Sequence, residues 1–165
     1  IGVSVRLTTK GRYAVTAMLD LAFHSQNKPV TLTDIATRQT ISLSYLEQLF
    51  ARLRKAGMVK GVRGPGGGYR LSRPADEISI ADIITAVDEQ VDSTKCGGAG
   101  DCQNNLPCLT HDLWMGLSEQ IRQYLQGISL ASLMEKDFVN KVAMRQDQDA
   151  AAVIKFQTRQ DQVSV

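Results

Sequence analysis

The chain has 165 residues, 43% hydrophobic and 22% charged, with a net charge of +2. That composition suits one compact domain with a real core and excludes wholesale disorder. No apolar run approaches the ~20 residues needed to span a membrane and no charged-then-apolar leader opens the chain, so a soluble, cytoplasmic protein is expected.

The small net charge hides a split. Residues 1–73 hold 12 Lys/Arg against Asp20, Asp34 and Glu47, a balance of +9, while residues 74–165 hold 7 against 14 acids, a balance of −7. Such asymmetry suggests that the first half meets a polyanion and the second half does something else.

In chain order, "LTTKGRYAVTAMLDLAFHS" carries Ala14, Ala17, Met18, Leu21 and Ala22 at helical spacing and predicts an amphipathic helix. "TLTDIATRQT" predicts a second, shorter helix capped by Thr31, with Asp34 at its positive end. In "ISLSYLEQLFARLRKAGM", Ser42 is a natural N-cap and Gly57 a natural stop; Leu46, Leu49, Phe50 and Leu53 form one apolar stripe. Turning each successive residue by ~100° places Ser44, Gln48, Ala51 and Lys55 opposite the stripe, with Arg52 beside them. Tyr45 and Glu47 flank that face. Hydroxyl, amide and cationic groups on one exposed face suit the reading helix of a helix-turn-helix.

"VKGVRGPGGGYRL" follows, two short β-capable segments at Val59–Arg63 and Tyr69–Leu71 joined by a glycine-rich turn. A basic hairpin directly after a helix-turn-helix is a wing. Arg63 and Gly64 sit at its tip, where an arginine can enter a narrow minor groove. A nucleotide-binding glycine loop is the poorer alternative, because no crossover unit surrounds it. The expected fold is therefore mainly α with a small β-hairpin wing, a winged helix-turn-helix at residues 6–75.

"EISIADIITAVDE" predicts a short helix capped by Ser79, with Ile80, Ile83, Ile84 and Val87 facing inward. Further on, Pro107 is expected in the first turn of a longer helix with the apolar positions Leu113, Leu117, Ile121, Tyr124 and Leu125, stopped by Gly127. A stripe that long needs a surface to lie against. A two-fold partner is expected through Leu113, Leu117, Ile121 and Tyr124, because winged helices commonly read two half-sites as dimers. Residues 76–135 are thus expected to hold the loop described next and a dimerisation helix, and residues 142–165, which lack sustained pattern, a flexible tail.

Between the two helices of this half lies "KCGGAGDCQNNLPCLTH", with every cysteine in the chain and one of its two histidines. The spacing is Cys96-x5-Cys102-x5-Cys108-x2-His111. A disulfide would leave one cysteine over, and the cytosol is reducing. Nucleophilic catalysis lacks an evident acid, pocket or orienting third group, so no enzyme is expected. Four soft or borderline ligands in a short loop point to a metal. Three thiolates and an imidazole suit tetrahedral zinc, yet the first two gaps exceed those of common zinc knuckles. The glycines let backbone amides approach the sulfurs, as iron–sulfur clusters favour. Chemistry leaves the two open.

"RLTTKGRYAVTAMLDLA", "ISLSYLEQLFARLRKAGMV", "VRGPGGGYRL", "AVDE" and the cysteine loop together resemble the IscR family of bacterial iron–sulfur cluster regulators, over about Arg6 to Leu133. The resemblance implies a homodimeric transcription factor with one 2Fe–2S cluster per subunit on Cys96, Cys102, Cys108 and His111, loaded by the cluster assembly machinery. It implies repression of the cluster assembly operon and a second class of promoter DNA sites read without the cluster. A nitric-oxide-sensing relative takes its fourth ligand from an Asp in the first helix; Arg12 stands at that position here, and His111 replaces it. The reading from another class is a zinc- or iron–sulfur-binding carrier or scaffold without sequence-specific DNA binding.

Overall fold

The computed structural model describes residues 8–87 and 92–163. Arg6, Asp88 and Glu89, parts of the motifs above, lie outside them. Helix α1 (Thr9–His24) buries Ala14, Ala17, Met18, Leu21 and Ala22 as its spacing requires. Helix α2 (Leu32–Gln39) starts where the Asp34 amide donates to Thr31 Oγ1 at 3.1 Å. Helix α3 (Leu43–Lys55) starts where the Tyr45 amide donates to Ser42 Oγ at 3.3 Å, and it buries Leu46, Leu49, Phe50 and Leu53. Gly57 follows its end with a φ of +72°, the left-handed conformation a side chain disfavours.

Strands β1 (Val59–Val62) and β2 (Gly68–Leu71) pair antiparallel, Val59 opposite Leu71 and Val62 opposite Gly68. Val30, just before α2, adds a third rung: its amide donates to the Tyr69 carbonyl at 3.0 Å and the Tyr69 amide returns the bond at 2.7 Å. That approach explains Gly68, where any Cβ would run into the Val30 carbonyl. The hairpin is thus bonded to the helix-turn-helix, which makes it a wing.

After a 3-10 turn (Ala75–Glu77), helix α4 (Ile80–Ala86) opens with a reciprocal capping box between Ser79 and Asp82. Ile78, Ile80, Ile83, Ile84 and Val87 join the core that α1 and α3 build. Helix α5 (His111–Gln126) leads through Gly127 to helix α6 (Leu130–Met134), whose Leu130 completes that core. The Ile80 amide donates to the Ile128 carbonyl at 2.9 Å and the Leu130 amide to the Ile78 carbonyl at 3.0 Å. Helix α5 thus rejoins the domain where Leu125 and Ile128 pack against the core and this backbone bridge closes.

Two expectations are corrected. Pro107 does not open α5, which begins four residues later at His111. Asn104 and Asn105 hold positive φ in a tight turn closed by paired Gln103 and Leu106 backbones, and the Cys108 amide is spent on a sulfur. Nor is the segment after Val142 irregular, because helix α7 runs unbroken from Asp137 to Val163. Its first half has a stripe, Val139, Val142, Ala143 and Gln146, turned toward Val15, Leu19 and Phe23 of α1 across a cavity of about 300 Å³. Farther on, residues 151–158 are all exposed, Val153, Ile154 and Phe156 among them, and helix-favouring alanines and long side chains suit a helix there.

Among the described residues no helix is long and apolar enough to cross a membrane.

Candidate metal centre and nucleic-acid interface

The loop is positioned before it is functional. Asp92 Oδ1 accepts from both the amide and the hydroxyl of Thr94, each at 2.7 Å, and the Ser93 amide donates to Ser118 Oγ on α5 at 2.8 Å. The Gly98 amide then donates to Thr94 Oγ1 at 2.7 Å. Gly97, Gly98 and Gly100 all have positive φ, which lets the backbone coil tightly around Cys96.

The ligand atoms of Cys96, Cys102 and His111 lie within 4.8 Å of one another. His111 Nδ1 is 3.6 Å from Cys96 Sγ and 3.7 Å from Cys102 Sγ. Cys108 is outside this trio but tied to it, its amide donating to Cys102 Sγ at 3.0 Å while its own Sγ lies 3.8 Å from Thr110 Oγ1. All three thiols are free and half-buried. Partial desolvation opposes ionisation of Cys96. The amides of Gly100 and Gly98 and the Thr94 hydroxyl nevertheless hold its thiol down to about 6. Hydrogen bonding from Cys102 and the local backbone also lowers Cys108. Cys102 is raised overall: the Cys108 amide favours its thiolate, but the neighbouring thiols outweigh it. A site that already favours thiolate at two cysteines, with an imidazole among them, is suited to a soft or borderline cation.

The other surface is on the first half. Ser44, Glu47, Gln48, Ala51, Arg52 and Lys55 are all exposed on α3, and Arg63 and Gly64 are exposed at the wing tip. Tyr45 is half-buried, its ring edge-on to Tyr13 of α1 at 5.8 Å, so it orients the start of α3. Between α3 and the wing runs a groove lined by Arg54, Lys60 and Arg63. Arg54 and Lys60 did not stand out in the sequence, because a cation's place in a groove depends on how wing and helix meet. Leu113 and Tyr124 are 61% and 70% exposed, Leu117 and Ile121 are half-buried, and no residue of α5 is fully buried.

Residues 7–136 match the family model Rrf2, described as an iron-dependent transcriptional regulator. The chain belongs to the Rrf2 family. It is 60% identical over 144 residues to the HTH-type transcriptional regulator IscR of Photobacterium profundum, covering 87% of this chain and 84% of that one. It is 62% identical over 143 residues to the regulator of the same name from Vibrio cholerae serotype O1, covering 87% and 83%. Among solved structures, T. potens IscR superposes with a TM-score of 0.66 at 39% identity, over 80% of this chain and 88% of that one. CymR, the global cysteine regulator of B. subtilis, gives 0.68 at 32% identity, over 79% and 96%. An Rrf2 protein with this winged fold is a DNA-binding transcriptional regulator and not an enzyme.

Sequence reasoning missed four residues around the site. Thr94 and Ser118 anchor the loop through hydroxyls that carry no spacing signal. Thr110 and Trp114 are four apart on the side of the loop that becomes helix, a pairing visible only once His111 is known to begin α5.

Proposed function

We propose that the protein is a homodimeric cytoplasmic regulator that carries one 2Fe–2S cluster per subunit on Cys96, Cys102, Cys108 and His111. The observation that carries this reading is the convergence of Cys96, Cys102 and His111 ligand atoms within 4.8 Å. The donor set fits: three thiols, one imidazole, and an amide hydrogen bond from Cys108 to the Cys102 sulfur of the kind that steadies cluster sulfurs. The iron dependence named for the Rrf2 family favours iron over zinc. When bound, the cluster supplies a chemical readout of iron and sulfide availability.

The chain's own residues would do the rest. His111 is the first residue of α5, so ligation at the loop is bonded to the helix whose exposed Leu113 and Tyr124 we assign to the two-fold partner. That helix returns to the winged domain through the Ile80–Ile128 bridge. Spacing of the two α3 helices, and hence half-site choice, would follow from it. On α3, Ser44, Gln48, Arg52 and Lys55 would contact bases and phosphates, while Arg63 and Gly64 follow the minor groove. Loaded protein would repress the operon that builds clusters, the assembly machinery acting as cluster donor, and a second class of promoters would be read without the cluster.

Anisotropy titration of the cluster-assembly promoter with anaerobically loaded protein and with Cys96→Ala tests the regulatory part. The loaded protein should bind at least about tenfold more tightly, the effect of one modest coupling energy between sites; equal affinities would reject cluster-dependent reading.

A further inference from the structure

Thr110 occupies the N-cap position of α5, yet its side chain caps nothing. Elsewhere Thr31, Ser42, Ser79 and Ser129 stand at the same position and each accepts a backbone amide from the first turn, while Thr8 before α1, like Thr110, makes no side-chain cap bond. A threonine at an N-cap that declines the amide departs from a strong local preference, and such departures concentrate at functional sites. The hydroxyl is engaged elsewhere. Trp114 Nε1 donates to Thr110 Oγ1 at 3.1 Å, and Cys108 Sγ lies 3.8 Å on its other side.

The chemistry of the three groups fixes the direction of these bonds. An indole N–H is a donor only, so the Thr110 oxygen must accept from Trp114. A cysteine that serves as a ligand is a thiolate with no proton to give. The remaining proton of the trio is the threonine's own, and the sulfur of a ligating Cys108 is the acceptor within its reach. We propose that Thr110 is a positioning residue of the centre: oriented by Trp114, its hydroxyl donates to Cys108 Sγ and joins that ligand to the first turn of α5. The inference rests on the cluster reading above and adds to it the residues that orient the Cys108 ligand and tune it.

Two effects follow. Hydrogen bonds to ligating sulfur favour the more electron-rich state of a cluster and so raise its reduction potential. Trp114, the single tryptophan of the chain, becomes a reporter, because its N–H is bonded to the residue that holds the ligand.

Thr110→Val removes the hydroxyl at nearly constant shape, Trp114→Phe removes the N–H that orients it, and Thr110→Ser restores a hydroxyl. In the full-length dimer purified without oxygen, the midpoint potential of the cluster is read by dye-mediated titration followed by absorption. The indole N–H resonance is read by nitrogen–proton correlation spectroscopy of cluster-free protein. Thr110→Val and Trp114→Phe should both move the midpoint to more negative values. Thr110→Ser should return it toward wild type, and the indole resonance should move in Thr110→Val alone among the two threonine variants. A loaded Thr110→Val with unchanged midpoint overturns the inference, as does an indole resonance indifferent to Thr110→Val. Wild-type protein that takes up no iron, with an indole resonance that still responds, overturns the cluster reading and leaves a structural Thr110–Trp114 pair in place of a tuning one.

Discussion

His24 Nε2 lies 2.9 Å from Asp147 Oδ1, a bond between residues 123 apart that fastens α7 to α1. Beside it, Gln39 and Gln146 exchange amide hydrogen bonds at 2.9 and 3.0 Å. Behind both, buried Asp20 accepts from Arg38 Nη2 at 2.7 Å and from Gln39 Nε2 at 2.7 Å. The end of α2, immediately before the turn into the reading helix, is thus held by one carboxylate and by α7. Asp20→Asn should cost about 3 kcal/mol of stability, because it leaves the half-buried Arg38 guanidinium without its charge partner. Urea unfolding measures it, and a loss below about 1 kcal/mol would show that α7 and the apolar core hold α2 unaided.

The same latch gives a pH dependence. Hydrogen bonding to Asp20 outweighs desolvation and raises His24 from 6.5 to about 9, with Arg38 opposing it. A group whose folded value lies above its unfolded one stabilises fully below the unfolded value and loses that contribution as pH rises through the folded one. Stability should therefore fall between about pH 6.5 and pH 9 in wild type and lose that slope in His24→Gln. Thermal midpoints across that range, compared between the two proteins, check it against the other groups that face His24: Asp20, Arg38 and Asp147.

Binding to promoter DNA should weaken steeply with salt, because the cations of α3 and the wing displace condensed counterions. Arg63→Ala, at the exposed tip, should reduce affinity most where an A·T-rich flank narrows the minor groove. Equal loss on every duplex would mean that Arg63 touches only phosphate.

Much of this was legible in the chain because the reading half is built from local signals. Thr31, Ser42 and Ser79 cap helices where their sequence context says they should, and the stripe from Leu46 to Leu53 is buried as its spacing demands. Of the four ligands that the spacing suggested, Cys96, Cys102 and His111 converge within 4.8 Å, while Cys108 lies outside that trio. What escaped depends on contacts between distant segments or on where a helix begins: Asp20 with Arg38, His24 with Asp147, Thr110 with Cys108 and Trp114. Helix α7 escaped for another reason: its apolar stripe is confined to its first half, and the exposed residues beyond give no sustained periodicity to read.

Glu47 is exposed on α3 among hydroxyl, amide and cationic groups, where a carboxylate accepts from cytosine N4 but repels phosphate and the acceptor edge of guanine. We expect it to bar the cluster-free protein from the sites that need the cluster. Glu47→Ala in a Cys96→Ala background should gain roughly ten- to hundredfold affinity for those sites, in line with ~1–3 kcal/mol for one base contact, and change little at the other class. Anisotropy at fixed salt measures both, and an unchanged gap would make Glu47 a solvated charge. By the same assay, Leu117→Asp should lose tight operator binding together with the dimer, and a variant still dimeric by sedimentation would place the interface elsewhere.

The most direct measurement is an iron and acid-labile sulfide count on protein expressed with ample iron and purified without oxygen, with its absorption spectrum. The account predicts about two irons and two sulfides per subunit. Both should be lost in Cys96→Ala, Cys102→Ala and Cys108→Ala, and diminished or electronically altered in His111→Ala. Stoichiometric zinc with no sulfide, in a colourless protein that still binds DNA, would contradict it.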